Sequence, residues 1–362
     1  GLMAVAILAA ANRWLSRGQA AFLGLSAVAS GLAFVTKSPS AFLVIAIPVI
    51  AAIGLRPWGA MFAARTWIRD IAIWAVVAGG AAIAVWPALA TQPVETIARM
   101  VSFTMAEGGQ PHAPGNFFLG QPVAVPGPLF YPVALLYRLT PVSLLGLVCL
   151  VLASWWQVAI LRAARPVWVL IGLAIAFTVF MNLGAKKLDR YILPVVPLLD
   201  ILAACGLWAA TRELLARVRG SARPARLAAP LLAVILLLQP VAWYSVLPYP
   251  LAYYDTLMGG GAAAQRAVLV GWGEGLDQAA AYLNAQPDAS TATVGVYYPL
   301  TVNFQALLRG TAVSFGPNVT PTYVVDYINA RQRGQVPSRM IGRDPEFVVQ
   351  INGIDYARVY RW

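Results

Sequence analysis

Residues 71–90 read IAIWAVVAGGAAIAVWPALA, twenty positions without a charge. A helix of that length matches the roughly 30 Å hydrocarbon core of a bilayer, so this stretch sets the expected fold class. Residues 19–35, 39–55, 139–161, 166–185 and 227–247 are also charge-free, and residues 191–211 carry only Asp200. With residues 1–11 read as the tail of a further span, the pattern predicts eight spans. The fold class expected is mainly α, a polytopic transmembrane helical bundle. The chain opens on Gly1 inside an apolar stretch, without a signal peptide, and the reading is of a fragment whose first spans are missing.

Charge supports the same division. Residues 1–247 hold 18 Lys and Arg against 6 Asp and Glu, whereas residues 248–362 hold 8 of each. The whole net charge of +12 therefore belongs to the apolar part. Because the cations flank apolar runs, the basic balance reports loops beside a membrane and not a nucleic-acid partner. With the loop after residue 211 placed in the cytoplasm, segments 12–18, 56–70, 162–165 and 212–226 lie inside and carry 12 basic residues, against 6 in the outer segments. That is the positive-inside pattern of a cell-membrane protein. It leaves residues 36–38, 91–138, 186–190 and 248–362 outside.

The chain thus divides into a membrane core, residues 1–247, with a long outer loop at 91–138, and a soluble extracytoplasmic α/β domain at 248–362. The loop is rich in Pro and Gly. Phe117, Phe118, Leu119, Phe130 and Tyr131 are expected to lie at the lipid interface as an aromatic belt. In the C-terminal domain residues 275–286 (GLDQAAAYLNAQ) have helical spacing and residues 292–298 (ATVGVYY) read as a strand. Asn352-Gly353 between two apolar runs signals a two-residue hairpin turn. Cys149 and Cys205 lie in apolar runs and read as small hydrophobes.

Several residues are candidates for chemistry. Only three of the 26 basic residues are lysines, Lys37, Lys186 and Lys187, and all fall on the outer side. With Arg190 and the Tyr191 hydroxyl they suit a phosphate; the alternative is that they anchor helix ends by snorkelling. His112, the one histidine, and Glu107 share the outer loop and suit proton transfer or a sugar hydroxyl, or else are merely solvated. Asp200 inside a span reads as a hydrogen-bonded structural group. Residues 271–275 (GWGEG) lack the lysine and strand–loop–helix setting of a phosphate loop and read as a turn before a helix. No zinc spacing or Ser-His-Asp signature is present.

Residues 31–39 (GLAFVTKSP) and 184–194 (GAKKLDRYILP), with His112, residues 116–120 (NFFLG) and residues 130–132 (FYP) between them, resemble the polyprenyl-phosphate-dependent glycosyltransferases of the GT-C fold. That group contains protein O-mannosyltransferases and the lipid A aminoarabinose transferase. The resemblance covers roughly residues 19–211 and is weaker in the C-terminal domain. It implies inverting transfer of a sugar from a lipid phosphate to an acceptor hydroxyl on a protein, lipid or glycan, outside the cytoplasm. It places Lys37 and Tyr191 on the donor phosphate, reinforced by Lys186, Lys187 and Arg190, with His112 near the sugar. The family's acidic base lies in a first outer loop that this chain does not contain, so the fragment is expected to be inactive, with Glu107 as a substitute base. No cofactor beyond the donor lipid is implied, and a divalent metal is left open. Two other classes remain: a flippase or transporter of a lipid-linked sugar, and a non-catalytic membrane protein that binds glycan.

Overall fold

A computed structural model describes residues 20–36, 40–53, 64–155, 165–219, 230, 232–235, 237, 240, 244–297, 301–316, 319–336, 340 and 342–362. The chain forms two compact units. One comprises Gly1–Gln110 and Ser143–Leu232, the other Pro111–Val142 and Ala233–Trp362.

The first unit is helical. Its elements are α1 (Ala20–Thr36), α2 (Ala41–Ile53), α3 (Ala64–Val85), the short α4 (Ala88–Thr91) and α5 (Pro93–Gly109). After α6 (Phe130–Arg138), which belongs to the other unit, it continues with α7 (Pro141–Trp155), α8 (Arg165–Asn182) and α9 (Val196–Arg219). Two described helices are long and apolar enough to cross a membrane, Trp67–Val85 and Leu193–Arg217; a third arises if α6 and α7 count as one broken span. Eight spans are therefore not supported. A charge-free run measures composition and not helix length. Among the described residues the run at 39–55 shows a 13-residue helix containing Pro48, and the run at 19–35 a 17-residue one. At 1.5 Å per residue these reach about 20 and 26 Å. The runs at 1–11 and, for the most part, 227–247 lie outside the described residues.

Small residues hold these helices together. A Cβ placed on Gly31 of α1 would run into the Ala78 carbonyl of α3, and one on Gly206 of α9 would meet the Gly146 carbonyl of α7. Such close approach suits helices in lipid, where no hydrophobic force draws them together. At the α1–α3 contact Trp74 is buried and its indole N–H donates to Ser26 Oγ at 3.3 Å. Phe42 of α2 packs edge-on against Phe177 of α8. Asp200 accepts a 2.6 Å hydrogen bond from Ser143 Oγ, which joins α7 to α9. Cys149 and Cys205 are free thiols.

The second unit is built on a sheet. A small hairpin, β1 (Asn116–Phe118) and β2 (Gln121–Val123), precedes α6. Next come α10 (Gly260–Ala267), α11 (Leu276–Asn284), β3 (Thr293–Tyr297), α12 (Thr301–Gln305), β4 (Thr311–Ser314), β5 (Tyr323–Tyr327), α13 (Ile328–Gln332), β6 (Phe347–Ile351) and β7 (Ile354–Arg361). The five-stranded sheet has the order β4-β3-β5-β7-β6, with β3 parallel to β4 and β5, and β7 antiparallel to β5 and β6. Strand β5 is buried throughout. Its alternate residues Tyr323, Val325 and Tyr327 enter the main core, while Val324 joins Phe315, Met340 and Tyr360 in a second cluster. Helix α11 buries Leu276, Ala279, Ala280 and Leu283, one stripe at helical spacing.

The GWGEG segment is a turn that opens α11. Gly275 takes φ +77° at the helix start, where a side chain would also strike Val349. Glu274 accepts from the Trp272 N–H at 2.6 Å, and the Tyr327 hydroxyl accepts from the Gly273 N–H at 2.8 Å. Asn352 and Gly353 both have positive φ, as the hairpin turn of β6 and β7 requires.

Residues 111–142 are fastened to this unit by backbone-directed contacts. The Leu119 N–H donates to the Ala267 carbonyl, and Arg333 Nε to the Gly115 carbonyl at 3.1 Å. The Arg138 guanidinium donates to the carbonyls of Leu251 and Tyr253 and lies 4.3 Å from the Tyr254 ring centroid. Phe117, Phe130 and Tyr131 are buried in this packing, and Phe118 packs on Phe130. The expected aromatic belt is thereby corrected: these rings fill the interior of a folded unit, and of the five residues only Leu119 is exposed.

Two glycines of one helix separate packing from propensity. Gly31→Ala forces apart the α1–α3 contact, a strain of about 1–3 kcal/mol. Gly24 has open space around it. Thermal unfolding in detergent is expected at a clearly lower temperature for Gly31→Ala and at an unchanged or higher one for Gly24→Ala.

Candidate functional site

Residues 186–191 leave the end of α8 and lead into α9. The segment is extended at Leu188, tightens into a 3₁₀ turn over Asp189–Tyr191, and reaches α9 through a second turn, Leu193–Val195. Pro194 stands in that second turn, at a position where a missing N–H leaves no helical bond unmade. Leu188, Ile192 and Val195 are almost wholly buried and anchor the segment.

Its polar groups divide around those anchors. Lys186 is half-buried and its ammonium forms an ion pair with Glu107. Lys187 is only 5% exposed, and burial pulls its ammonium below the ordinary value. Asp189 is buried and its Oδ1 accepts the Arg190 backbone N–H at 2.7 Å. The exposed Arg190 guanidinium lies 5.7 Å from the centroid of the half-buried Tyr191 ring. Lys37, the remaining member of the expected phosphate set, lies outside the described residues.

Helix α5 is the other half of the site. Its C-terminal turn presents the Gly108 carbonyl, which accepts the N–H of Ala185 at 2.9 Å and of Lys186 at 3.3 Å. Two backbone bonds and one ion pair therefore tie the helix end to the basic segment. The sequence reading names Glu107 but not Gly108; the Gly108-Gly109 pair at a helix end is the one signal that marks it. The beginning of α5 meets an apolar groove of about 300 Å³. Gly31 and Phe34 of α1, Trp74, Ala78 and Ala82 of α3, Leu89 of α4, and Pro93 and Ile97 of α5 line it. From Ile97 to Glu107 is ten residues, about 15 Å along the helix.

His112 belongs to the other unit, where it is half-buried and its carbonyl accepts the Gly115 N–H at 2.7 Å. The structure thus brings Glu107 together with Lys186, in the same unit as Lys187, Arg190 and Tyr191. Among the described residues no group of three or more His, Cys, Asp or Glu is placed to hold a metal. Comparison with protein-family models, with curated proteins and with solved structures yields no match.

The tie between α5 and the basic segment is open to a direct test. Met105→Pro removes an intrahelical bond in the last turns of α5 and displaces the Gly108 carbonyl. Val94→Pro falls in the first turn, where proline is tolerated. Hydrogen exchange read by mass spectrometry is expected to quicken at least tenfold in peptides covering residues 184–187 for the first variant and to stay unchanged for the second.

Proposed function

We propose that the protein is a multi-pass membrane glycosyltransferase that moves a sugar from a polyprenyl-phosphate-linked donor to an acceptor hydroxyl, with inversion at the anomeric carbon. The reading sets the site, and residues 248–362, on the extracytoplasmic side of the cell membrane. The observation that carries it is the way one helix serves two chemistries. Helix α5 starts at an almost wholly apolar groove and ends in an ion pair with Lys186, the first cation of the basic segment. A polyprenyl phosphate has the same division, a hydrocarbon chain joined to an anionic head.

In the proposed step the acceptor oxygen attacks the anomeric carbon as the bond from that carbon to the phosphate oxygen breaks. The electron pair passes to the phosphate, and the acceptor proton passes to a base. Positive charge set in advance beside the leaving oxygen stabilises it most in the transition state. Lys37, Lys186, Lys187 and Arg190 supply that charge in this reading, and the Tyr191 hydroxyl donates to a phosphate oxygen. Burial of Lys187 strengthens its field at a nearby anion. Glu107, engaged by the Lys186 ammonium, is assigned to positioning that cation and not to proton removal.

The test is transfer of labelled sugar from a polyprenyl-phosphate donor by the full-length protein in proteoliposomes, beside Lys37→Ala and Tyr191→Phe. Each substitution is expected to lower the rate at least tenfold, which is about 1.4 kcal/mol of transition-state stabilisation. Donor that crosses the bilayer with its sugar uncleaved would replace this reading with that of a flippase.

A further inference from the structure

Helix α5 buries none of its residues, although it is strongly amphipathic. At 100° per residue Val94, Ile97, Val101 and Met105 fall on one arc, and Glu95, Arg99 and Ser102 on the opposite one. Val94 is 81% and Met105 71% exposed. Phe103 breaks the pattern from the polar side and is exposed as well.

Three observations say what covers the apolar arc. The helix follows the candidate span Trp67–Val85 after only a short connection that includes α4, so it begins where an apolar length sufficient to cross a bilayer has just ended. The span itself exposes Ile73, Val76, Ile83 and Val85, and Ile83 lines the same apolar groove as Ile97 of α5. The charges of α5 are already matched: Arg99 pairs with Glu95 at 2.6 Å and Glu107 with Lys186. A helix with a wide apolar arc and balanced charge is suited to the acyl boundary of a bilayer by burial of apolar area, without attraction to anionic lipid.

We propose that α5 lies in the plane of the lipid–water interface with Val94, Ile97, Val101 and Met105 toward the acyl chains. Through Gly108 and Glu107 it then sets the depth at which the basic segment 186–190 stands. This inference goes beyond the proposed chemistry and holds whether or not sugar is transferred.

The experiment uses the full-length protein in vesicles of zwitterionic phosphatidylcholine, with Cys149→Ala and Cys205→Ala. Single fluorophores are attached after Val101→Cys, Met105→Cys, Arg99→Cys or Ser102→Cys. Labels at 101 and 105 are expected to be quenched at least threefold more by lipid-borne nitroxide than labels at 99 and 102, and iodide in the water is expected to give the reverse order. Equal quenching of all four by iodide, or shielding of all four from both quenchers, overturns the placement. For the second half a label is attached after Lys186→Cys, with Gly108 as its remaining tie. The paired change Val101→Glu with Met105→Glu is expected to lower nitroxide quenching of this label at least twofold. If α5 rises by its own labels while the label at 186 does not move, the depth-setting role is wrong.

Discussion

In the first unit the helices meet through backbone. Gly31 against Ala78, and Gly146 against Gly206, leave no room for a side chain. Between helices surrounded by hydrocarbon, contact of this kind and a few hydrogen bonds must do what water does for a soluble core. The rest of the unit follows from these contacts. The α1–α3 approach brings the Trp74 indole to Ser26, and the same two helices provide much of the groove wall. The α7–α9 approach fixes the start of α9, and with it the buried anchors Leu188, Ile192 and Val195. The cations thus take their place from helix packing through these buried anchors, together with the Gly108 carbonyl and the Lys186–Glu107 ion pair that tie the segment to α5.

What was legible in the sequence was local. The stripe of Leu276, Ala279, Ala280 and Leu283 is a spacing within one helix, and Asn352-Gly353 is a preference of two residues for positive φ; both appear in the structure as read. Eight spans are not supported because, among the described residues, only two helices, or three with the bent pair, combine the length and the apolar composition that a crossing needs. Pro48 lies inside a run that hydropathy alone treats as uniform. The placement of residues 111–142 was illegible for a different reason. Arg138 donates to the carbonyls of Leu251 and Tyr253, and every residue carries a carbonyl, so the partner's sequence holds no mark of the contact.

The candidate site shows the same split. Residue type and side of the membrane singled out Lys186, Lys187, Arg190 and Tyr191. Sequence did not say that Lys187 is buried while Arg190 is exposed, or that a carbonyl of α5 receives two N–H groups of the basic stretch. The difference matters chemically. A buried ammonium acts over a longer range because less water screens it. The exposed guanidinium of Arg190 is screened by water and acts over a shorter range.

The discontinuous makeup of the second unit has a consequence for biosynthesis. Residues 111–142 are made early, yet their partners lie far downstream: the bond from Arg333 to the Gly115 carbonyl joins residues 218 positions apart. At 5–20 residues per second, a ribosome needs roughly 10–40 s to make that much chain. During that interval Phe117, Phe130 and Tyr131 have no interior to enter. The stretch must stay within reach of the domain it joins until that domain has been made, so neither piece can finish folding before residue 333 has left the ribosome.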